Sequence, residues 1–177
     1  MTAIAGFVDQ GKVWIGGDSA GVAGFDLTVR ADPKVFRNGD FLFGFTSSFR
    51  MGQLLRYSLV APKPSLGQDI YEFMVTTFVD AVRICLKAGG YASRKDDVES
   101  GGTFLVGYAG RLFWVDGDYQ VGEPLDGYAA VGCGDQILHG ALFATRGLAA
   151  ESRMKTALEA AERHSAGVRG PFRMESI

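Results

Sequence analysis

The chain has 177 residues, of which 47% are apolar and 21% charged, as in a folded globular protein rather than a disordered one. Its 18 basic and 20 acidic side chains form no long block of either sign, so nucleic acid and anionic membranes are not expected as main partners. Cys85 and Cys133 are too few for a disulfide framework or a zinc cage, and neither cofactor nor metal is predicted. Residues 1–177 are expected to form a single domain. With no apolar run of signal-peptide or membrane-span type, a soluble cytoplasmic protein is predicted.

Two β-hairpins are predicted in the N-terminal third. Asn38-Gly39 between two apolar runs is the strongest short-range signal for a hairpin turn, and residues 9–12 form the turn of the earlier hairpin. The predicted strands cover residues 3–8, 13–17, 34–37 and 41–45. Between the hairpins, residues 22–32 contain Gly24 and β-branched side chains without a helical period.

The middle of the chain changes to a helical period, because apolar residues from Ile70 to Ile84 recur at helix-like intervals until Gly89-Gly90. Helices are predicted over residues 49–56 and 68–87. The polar residues 93–101 are predicted to be a loop.

The second half repeats the change from strands to helices. The predicted elements are strands over 103–108, 111–115 and 128–131, helices over 135–145 and 151–163, and a last strand over 172–177. Because hairpin-joined strands alternate with pairs of helices, the order favours an α+β layered fold rather than βαβ units.

Two short motifs suggest chemistry that their surroundings do not support. Gly17 to Gly21 matches the Gly-x-Ser-x-Gly pattern around a nucleophilic serine, here Ser19, but that mechanism needs a helix after the serine. A chymotrypsin-like arrangement would need a histidine upstream, and both histidines lie downstream. Gly132 to Asp135 resembles half of a dinucleotide fingerprint, without its third glycine or a βαβ unit. A tight turn into a helix N-terminus is the preferred interpretation of this second motif, and a reactive Cys133 is a further alternative.

The N-terminal residues indicate another nucleophile. Aminopeptidases usually remove a methionine that precedes a small residue, and Thr2 would then carry a hydroxyl and an α-amine. An α-amine with a pKa near about 8 can take the hydroxyl proton directly or through a water. A nearby lysine lowers the pKa of that amine, and an aspartate holds the lysine. Asp18 lies sixteen residues after Thr2, and Lys34 a further sixteen, both at predicted strand ends.

These residues belong to a sequence that resembles the start of proteasome β-type subunits, and in particular the peptidase of the bacterial two-component ATP-dependent protease. In that family the mature chain opens with threonine, a hairpin ends in Gly-Asp, and a Lys-Val pair begins the next strand. Asp18 and Lys34-Val35 match that order. The resemblance is carried by residues 1–8, Gly11 and residues 13–19, 34–35, 44–48 and 131–134.

The resemblance implies the four-layer αββα sandwich of N-terminal nucleophile (Ntn) hydrolases, a ring of identical subunits, and hydrolysis of peptide bonds through an acyl-enzyme ester. It makes Thr2 the nucleophile and its own amine the base, with Lys34 lowering the pKa of the amine and Asp18 orienting Lys34. It makes the backbone N–H of Ser47 the oxyanion donor and gives Cys133 a supporting role. The expected partners are peptide or unfolded-protein substrates and an ATP-driven unfoldase.

Three positions depart from the family pattern. Thr46-Ser47 stands where the family usually has Ala-Gly, and Cys133 replaces a serine, which removes a good hydrogen-bond donor. His164-Ser165 lies where proteasome subunits place an aspartate and a serine.

Two other functions remain open: a non-catalytic ring-forming protein of the same fold, and an Ntn amidohydrolase that acts on small amides. Removal of Met1 separates the first from a peptidase, because a retained methionine holds the amine in a peptide bond. Gly44 and Ser48 are expected near the primary substrate pocket, where they would leave room for a sizeable apolar side chain.

Overall fold

The computed structural model describes residues 1–95 and 98–177. The strands are β1 (Ala3–Asp9), β2 (Lys12–Gly17), β3 (Ala20–Ala23), β4 (Asp26–Val29), β5 (Val35–Asn38), β6 (Phe41–Phe45), β7 (Ser93–Lys95), β8 (Val98–Ser100), β9 (Phe104–Tyr108), β10 (Arg111–Val115), β11 (Val121–Gly122), β12 (Tyr128–Gly132) and β13 (Arg173–Ser176). The helices are α1 (Phe49–Tyr57), α2 (Ile70–Phe73), α3 (Val79–Ala88), α4 (Asp135–Ala144) and α5 (Ala150–His164). Within the described ranges, no helix is both long and apolar enough to cross a membrane.

Two antiparallel sheets form the centre of the fold. The first has the strand order β12-β1-β2-β13, and the second has the order β11-β10-β9-β6-β5. Alternation along β1 explains how both faces of the first sheet are covered, because neighbouring residues of a strand point to opposite faces. Ile4 packs between the sheets with Ile15, Leu42 and Leu105, whereas Phe7 packs on the other face against α4 and α5.

The outer face of the second sheet packs against α1, α2 and α3 through an aromatic core. Phe41 and Phe43 of β6 contact Phe78, with ring centroids 5.0 and 6.2 Å apart, respectively. Helices therefore cover both sheets from outside, and the four-layer αββα sandwich implied by the resemblance is confirmed. Both predicted hairpins and every predicted helical region are present, with ends that differ by a few residues.

Three predictions of local structure were wrong in detail. The helix predicted over residues 68–87 begins at Ile70, after the cap Asp69, and contains a π-helical segment at Met74–Phe78 between α2 and α3. The loop predicted over residues 93–101 contains the paired strands β7 and β8, while its residues 96 and 97 lie outside the described residues. Residues 22–32 were given no element, but β3 and β4 pair there as a hairpin that stands apart from both central sheets.

Candidate active site

Thr2, Asp18 and Lys34 each lie just beyond the end of a strand, at the same end of the two sheets. Thr2 precedes β1, Asp18 follows β2, and Lys34 precedes β5 of the second sheet. Since β1 and β2 are antiparallel, with Ile4 opposite Gly17, the residues that flank this pair are also neighbours. The fold therefore brings together side chains that the sequence separates by sixteen and thirty-two positions.

Lys34 joins the other two side chains. Its Nζ donates to Thr2 Oγ1 at 3.0 Å and to Asp18 Oδ1 at 2.7 Å. The side chains of Lys34 and Asp18 are 1% and 0% exposed, so water does not screen their interaction. Burial lowers the pKa of Lys34 below its ordinary value, and the Asp18 carboxylate opposes this effect by favouring the charged ammonium.

Backbone amides hold the Asp18 carboxylate. Its Oδ1 accepts from the N–H of Ala3 at 3.0 Å, and its Oδ2 accepts from Ala20 at 2.9 Å and Arg169 at 3.3 Å. Together with Lys34 these donors use both carboxylate oxygens, so the side chain is fixed in one orientation. The contribution of Arg169 comes from the segment that precedes β13, and no sequence motif marks it.

Ser47 keeps a backbone conformation that glycine usually provides. Its φ is +66°, in the left-handed region, although it has a Cβ. Its Oγ accepts the N–H of Thr103 at 3.0 Å, which compensates part of the strain. No group in the described part of the chain accepts a hydrogen bond from the Ser47 N–H. At the position where the resemblance implies glycine, Ser47 therefore has a left-handed backbone and, within the described residues, a backbone N–H without an acceptor.

Cys133 and Gly132 surround the peptide units of Thr2. The N–H of Thr2 donates to the Cys133 Sγ at 3.3 Å, and that thiol donates to the Thr2 carbonyl at 3.4 Å. Gly132 has a φ of +102°, and a Cβ at this position would overlap the Thr2 carbonyl oxygen. The turn from β12 into α4 thus fixes the backbone of Thr2, and the interpretation of Gly132 to Asp135 as a tight turn is confirmed.

Ser165 is linked to this turn through Cys133, whereas His164 is not. The Oγ of Ser165 lies 3.5 Å from the Cys133 Sγ. His164 is the last residue of α5 and is exposed. Of the two residues at the position where proteasome subunits place an aspartate and a serine, Ser165 is the one joined to the Thr2 surroundings.

Thr2 opens into a cleft of about 360 Å³, called here the nucleophile cleft. One wall is the β3–β4 hairpin, and the opposite wall is the turn from β6 into α1. The lining residues are Met1, Thr2, Gly21, Val22, Ala23, Thr28, Arg30, Phe45, Thr46, Ser47, Ser48 and Phe49. The expectation that Gly44 would open this pocket was wrong, because a Cβ on Gly44 would press against Ile4 and Ile15 between the sheets.

The alternative nucleophile Ser19 has a structural role. It is buried, its Oγ donates to the carbonyl of Pro171 at 2.6 Å, and a strand rather than a helix follows it. Within residues 1–95 and 98–177, no group of three or more His, Cys, Asp and Glu side chains is arranged to hold a metal ion.

Solved structures share this architecture over nearly the whole chain. BPH from Thiobacillus denitrificans in complex with epoxomicin is 20% identical, with a TM-score of 0.81 over 99% of this chain and 98% of that one. Eukaryotic HslV from Trypanosoma brucei is 20% identical, with a TM-score of 0.70 over 99% and 98%. Anbu from Hyphomicrobium sp. strain MC1 is 15% identical, with a TM-score of 0.67 over 98% and 80%.

The chain has the HslV-type, proteasome-like Ntn fold. No protein-family profile matches the sequence of this chain, and no match was found among curated protein sequences. At 20% identity the likeness establishes the fold alone, so the residue roles depend on the site geometry.

Within the HslV-type fold, sequence reasoning missed part of the cleft wall. Arg30 and Phe49 both line the nucleophile cleft, and the Arg30 guanidinium carbon lies 3.7 Å from the centre of the Phe49 ring. The alternation of Leu27, Thr28 and Val29 beyond Gly24 is a strand signal that could have located this wall. No comparable signal pairs Arg30 with Phe49.

Proposed function

We propose that this chain is a cytoplasmic threonine peptidase that hydrolyses peptide bonds with Thr2 after the removal of Met1. The observation that carries the proposal is the buried chain of contacts from Thr2 Oγ1 to Lys34 Nζ and on to Asp18 Oδ1, at the mouth of a cleft that contains Ser47. The ion pair with Asp18 serves stability, and the second contact, with the Thr2 hydroxyl beside a cleft, supports a chemical role for Lys34.

In the proposed acylation step, the free α-amine of Thr2 takes the Oγ1 proton, directly or through a water. The oxygen then attacks the substrate carbonyl carbon, and the N–H of Ser47 stabilises the negative charge on the carbonyl oxygen. Collapse of this intermediate breaks the C–N bond, and the amine product leaves with the proton. Water then hydrolyses the ester, which regenerates the Thr2 hydroxyl and releases the acid product.

Lys34 has an electrostatic role in this proposal. Its positive charge beside Thr2 lowers the pKa of the α-amine, so that a larger fraction of the amine is unprotonated near neutral pH. Asp18 keeps Lys34 charged despite its burial. With Met1 attached, the Thr2 nitrogen is an amide and its hydroxyl donates to the Met1 carbonyl at 2.6 Å, so neither group is free to react.

The test compares variants of the chain that begins at Thr2, as verified by intact mass. Thr2→Ala should abolish the hydrolysis of fluorogenic peptides, and Ser19→Ala is the control for a nearby buried hydroxyl outside the proposed mechanism. Unchanged turnover in Thr2→Ala would show that another residue is the nucleophile. A Met1 that persists in the natural host would instead favour the non-catalytic ring-forming alternative.

We also propose that identical subunits assemble into a closed ring that receives unfolded protein, with an ATP-driven unfoldase as partner. The β3–β4 hairpin supports assembly, because Phe25, Leu27 and Val29 expose apolar side chains on one projecting element. Native mass spectrometry tests the ring directly. A monomer at micromolar concentration would contradict it.

A further inference from the structure

A second cleft, called here the rear cleft, adjoins the nucleophile cleft and shares part of its wall. This rear cleft has a volume of about 340 Å³. Arg30, Phe45 and Phe49 line both clefts. The residues that line the rear cleft alone are Asp32, Pro33, Phe36, Gly52, Gln53, Arg56 and Tyr57. The three shared side chains, called here the partition, therefore separate two spaces of nearly equal size.

Within the partition, Phe45 contacts Phe49, and Phe49 contacts Arg30. The Phe45 ring packs directly against Gly52 of α1, where a Cβ would overlap it. Phe49 meets Phe45 edge-to-face, with centroids 5.6 Å apart and an angle of 84° between the rings. The Arg30 guanidinium lies over the Phe49 ring at 3.7 Å, and its Nε and Nη2 donate to the two Asp32 carboxylate oxygens at 2.8 and 2.7 Å. The guanidinium group of Arg30 therefore packs with its face on the Phe49 ring and binds Asp32 through its edge.

The partition lies next to the proposed catalytic groups. The Lys34 Nζ is 5.7 Å from the centre of the Phe49 ring and 3.0 Å from Thr2 Oγ1. A substrate residue that acylates Thr2 carries its side chain on the α carbon, which is bonded to the carbonyl carbon that Thr2 attacks. If this substrate side chain extends from Thr2 into the nucleophile cleft and is large, it reaches Phe49.

We propose that the Arg30–Phe49 stack is the specificity-determining closure of the nucleophile cleft, and that it restricts the residue before the scissile bond to a small side chain. This inference rests on the proposed peptidase function. While the stack is intact, the rear cleft is closed to substrate. Without it, the two clefts join, and a large apolar side chain reaches the aromatic surface formed by Phe36 and Phe45.

The experiment measures kcat/KM for two fluorogenic peptides that differ only in alanine or phenylalanine before the cleaved bond. The unaltered chain should prefer alanine by about tenfold or more. Phe49→Ala should shift the ratio toward phenylalanine by about 10–200-fold, which is what a single methylene of fit is worth in an apolar pocket. Arg30→Ala should shift it in the same direction by less, because the ring remains.

Arg56→Ala is the matched control, since Arg56 lines the rear cleft but not the partition. Its ratio should equal that of the unaltered chain. Phe49→Leu covers the case in which Phe49→Ala does not fold, because it keeps apolar volume at the start of α1 but shortens the side chain. Its ratio should be intermediate, and an unchanged ratio would overturn the inference.

Labelling with two peptide vinyl sulfones, ending in alanine or phenylalanine, separates this inference from the proposed function. Thr2 modification is followed by intact mass. Faster modification by the alanine probe supports the closure, and equal rates in the unaltered chain overturn it while leaving the peptidase proposal intact. If neither probe modifies Thr2 and neither peptide is cleaved, the proposed function is wrong and the inference fails with it.

Discussion

Lys34 Nζ lies 3.0 Å from Thr2 Oγ1, although thirty-two positions separate the two residues and they flank strands of different sheets. The contact places a buried cation against the hydroxyl of the residue that precedes β1. A buried cation is costly unless it is paired, and Asp18 at 2.7 Å provides the pairing. The stability of the sandwich and the proposed chemistry of Thr2 therefore depend on the same ion pair.

Replacement of Lys34 by methionine should lower both stability and activity. The Asp18 carboxylate would remain buried without its cation, which costs about 3–5 kcal/mol of unfolding free energy in comparable pairs. Peptide hydrolysis should fall by about 10²-fold or more, since the pKa of the Thr2 amine is no longer lowered. Urea unfolding and kcat/KM measure the two effects. In the double variant with Asp18→Asn, stability should partly recover while activity does not, and additive losses in unfolding free energy would contradict the pairing.

The pH dependence of activity should report the pKa of Lys34. Burial lowers this pKa from its ordinary value of 10.5, so the alkaline decline of kcat/KM should occur below that value. Asp18 raises the pKa of Lys34, and Asp18→Asn should therefore move the decline to lower pH. If the alkaline decline of kcat/KM occurs at the same pH in Asp18→Asn, Lys34 is not the group whose titration causes it.

The stability of the folded chain should follow the same titration. Between the lowered folded-state pKa and the ordinary value, the unfolded chain binds more protons at Lys34 than the folded chain does. The part of the unfolding free energy that depends on the protonation of Lys34 is therefore fully present above the ordinary pKa and is lost as the pH falls through the folded-state pKa, in addition to the pH-independent loss of the ion pair in Lys34→Met. Urea unfolding of the unaltered chain and of Lys34→Met across this interval isolates the contribution.

The stability of variants at Ser47 should depend on backbone strain and on the hydrogen bond from Thr103. Ser47→Gly relieves the left-handed conformation, of order 1 kcal/mol, but loses the hydroxyl acceptor, so its net effect should be small. Ser47→Ala keeps the strain and loses the acceptor, and should cost about 1–2 kcal/mol. Ser47→Val should cost more, since a β-branched residue is poorly tolerated at positive φ. Chemical denaturation gives the order, and an alanine variant as stable as glycine would contradict it.

Gly132 and Gly140 provide a contrast between a glycine that the site needs and one that it does not. Gly132→Ala should disrupt the site, because its Cβ would overlap the Thr2 carbonyl oxygen and its φ of +102° is strained for alanine. Gly140 is exposed in α4, and a Cβ there would meet nothing within 4 Å. Gly140→Ala should raise stability by about 0.8–1 kcal/mol through helix propensity, with unchanged activity. Thermal unfolding and peptide hydrolysis distinguish the two variants.

Much of the site could be predicted because residues 1–8, 13–19 and 34–35 resemble the start of proteasome β-type subunits, which implies the roles of Thr2, Asp18 and Lys34. The local turn and strand patterns add only that Asp18 and Lys34 lie at predicted strand ends. The geometry at Ser47 was harder to predict, because its positive φ is unusual for serine and its hydroxyl accepts from Thr103, fifty-six positions away. The roles of these residues in catalysis remain predictions until the variants are measured.

Other parts of the site have no local signature. Arg169 contributes a backbone N–H to Asp18, and any residue other than proline could do so. The Arg30–Phe49 stack joins a residue that follows β4 to the first turn of α1, and its effect depends on two clefts that exist only in the folded chain. Gly44 was misjudged because a small residue beside a predicted site can serve close packing between sheets as readily as it can open a pocket.

Residues 169–177 complete the surroundings of Asp18 and the edge of β2. Asp18 receives a hydrogen bond from Arg169, β13 pairs with β2, and Ile177 exchanges two backbone hydrogen bonds with Val13. The ribosome makes this segment after the rest of the described chain, so a nascent chain that already displays Thr2 still lacks the strand beside β2. The surroundings of Asp18 are therefore completed only by a segment made after Thr2, Asp18 and Lys34, and removal of residues 169–177 would leave one edge of β2 and one oxygen of the Asp18 carboxylate short of backbone donors.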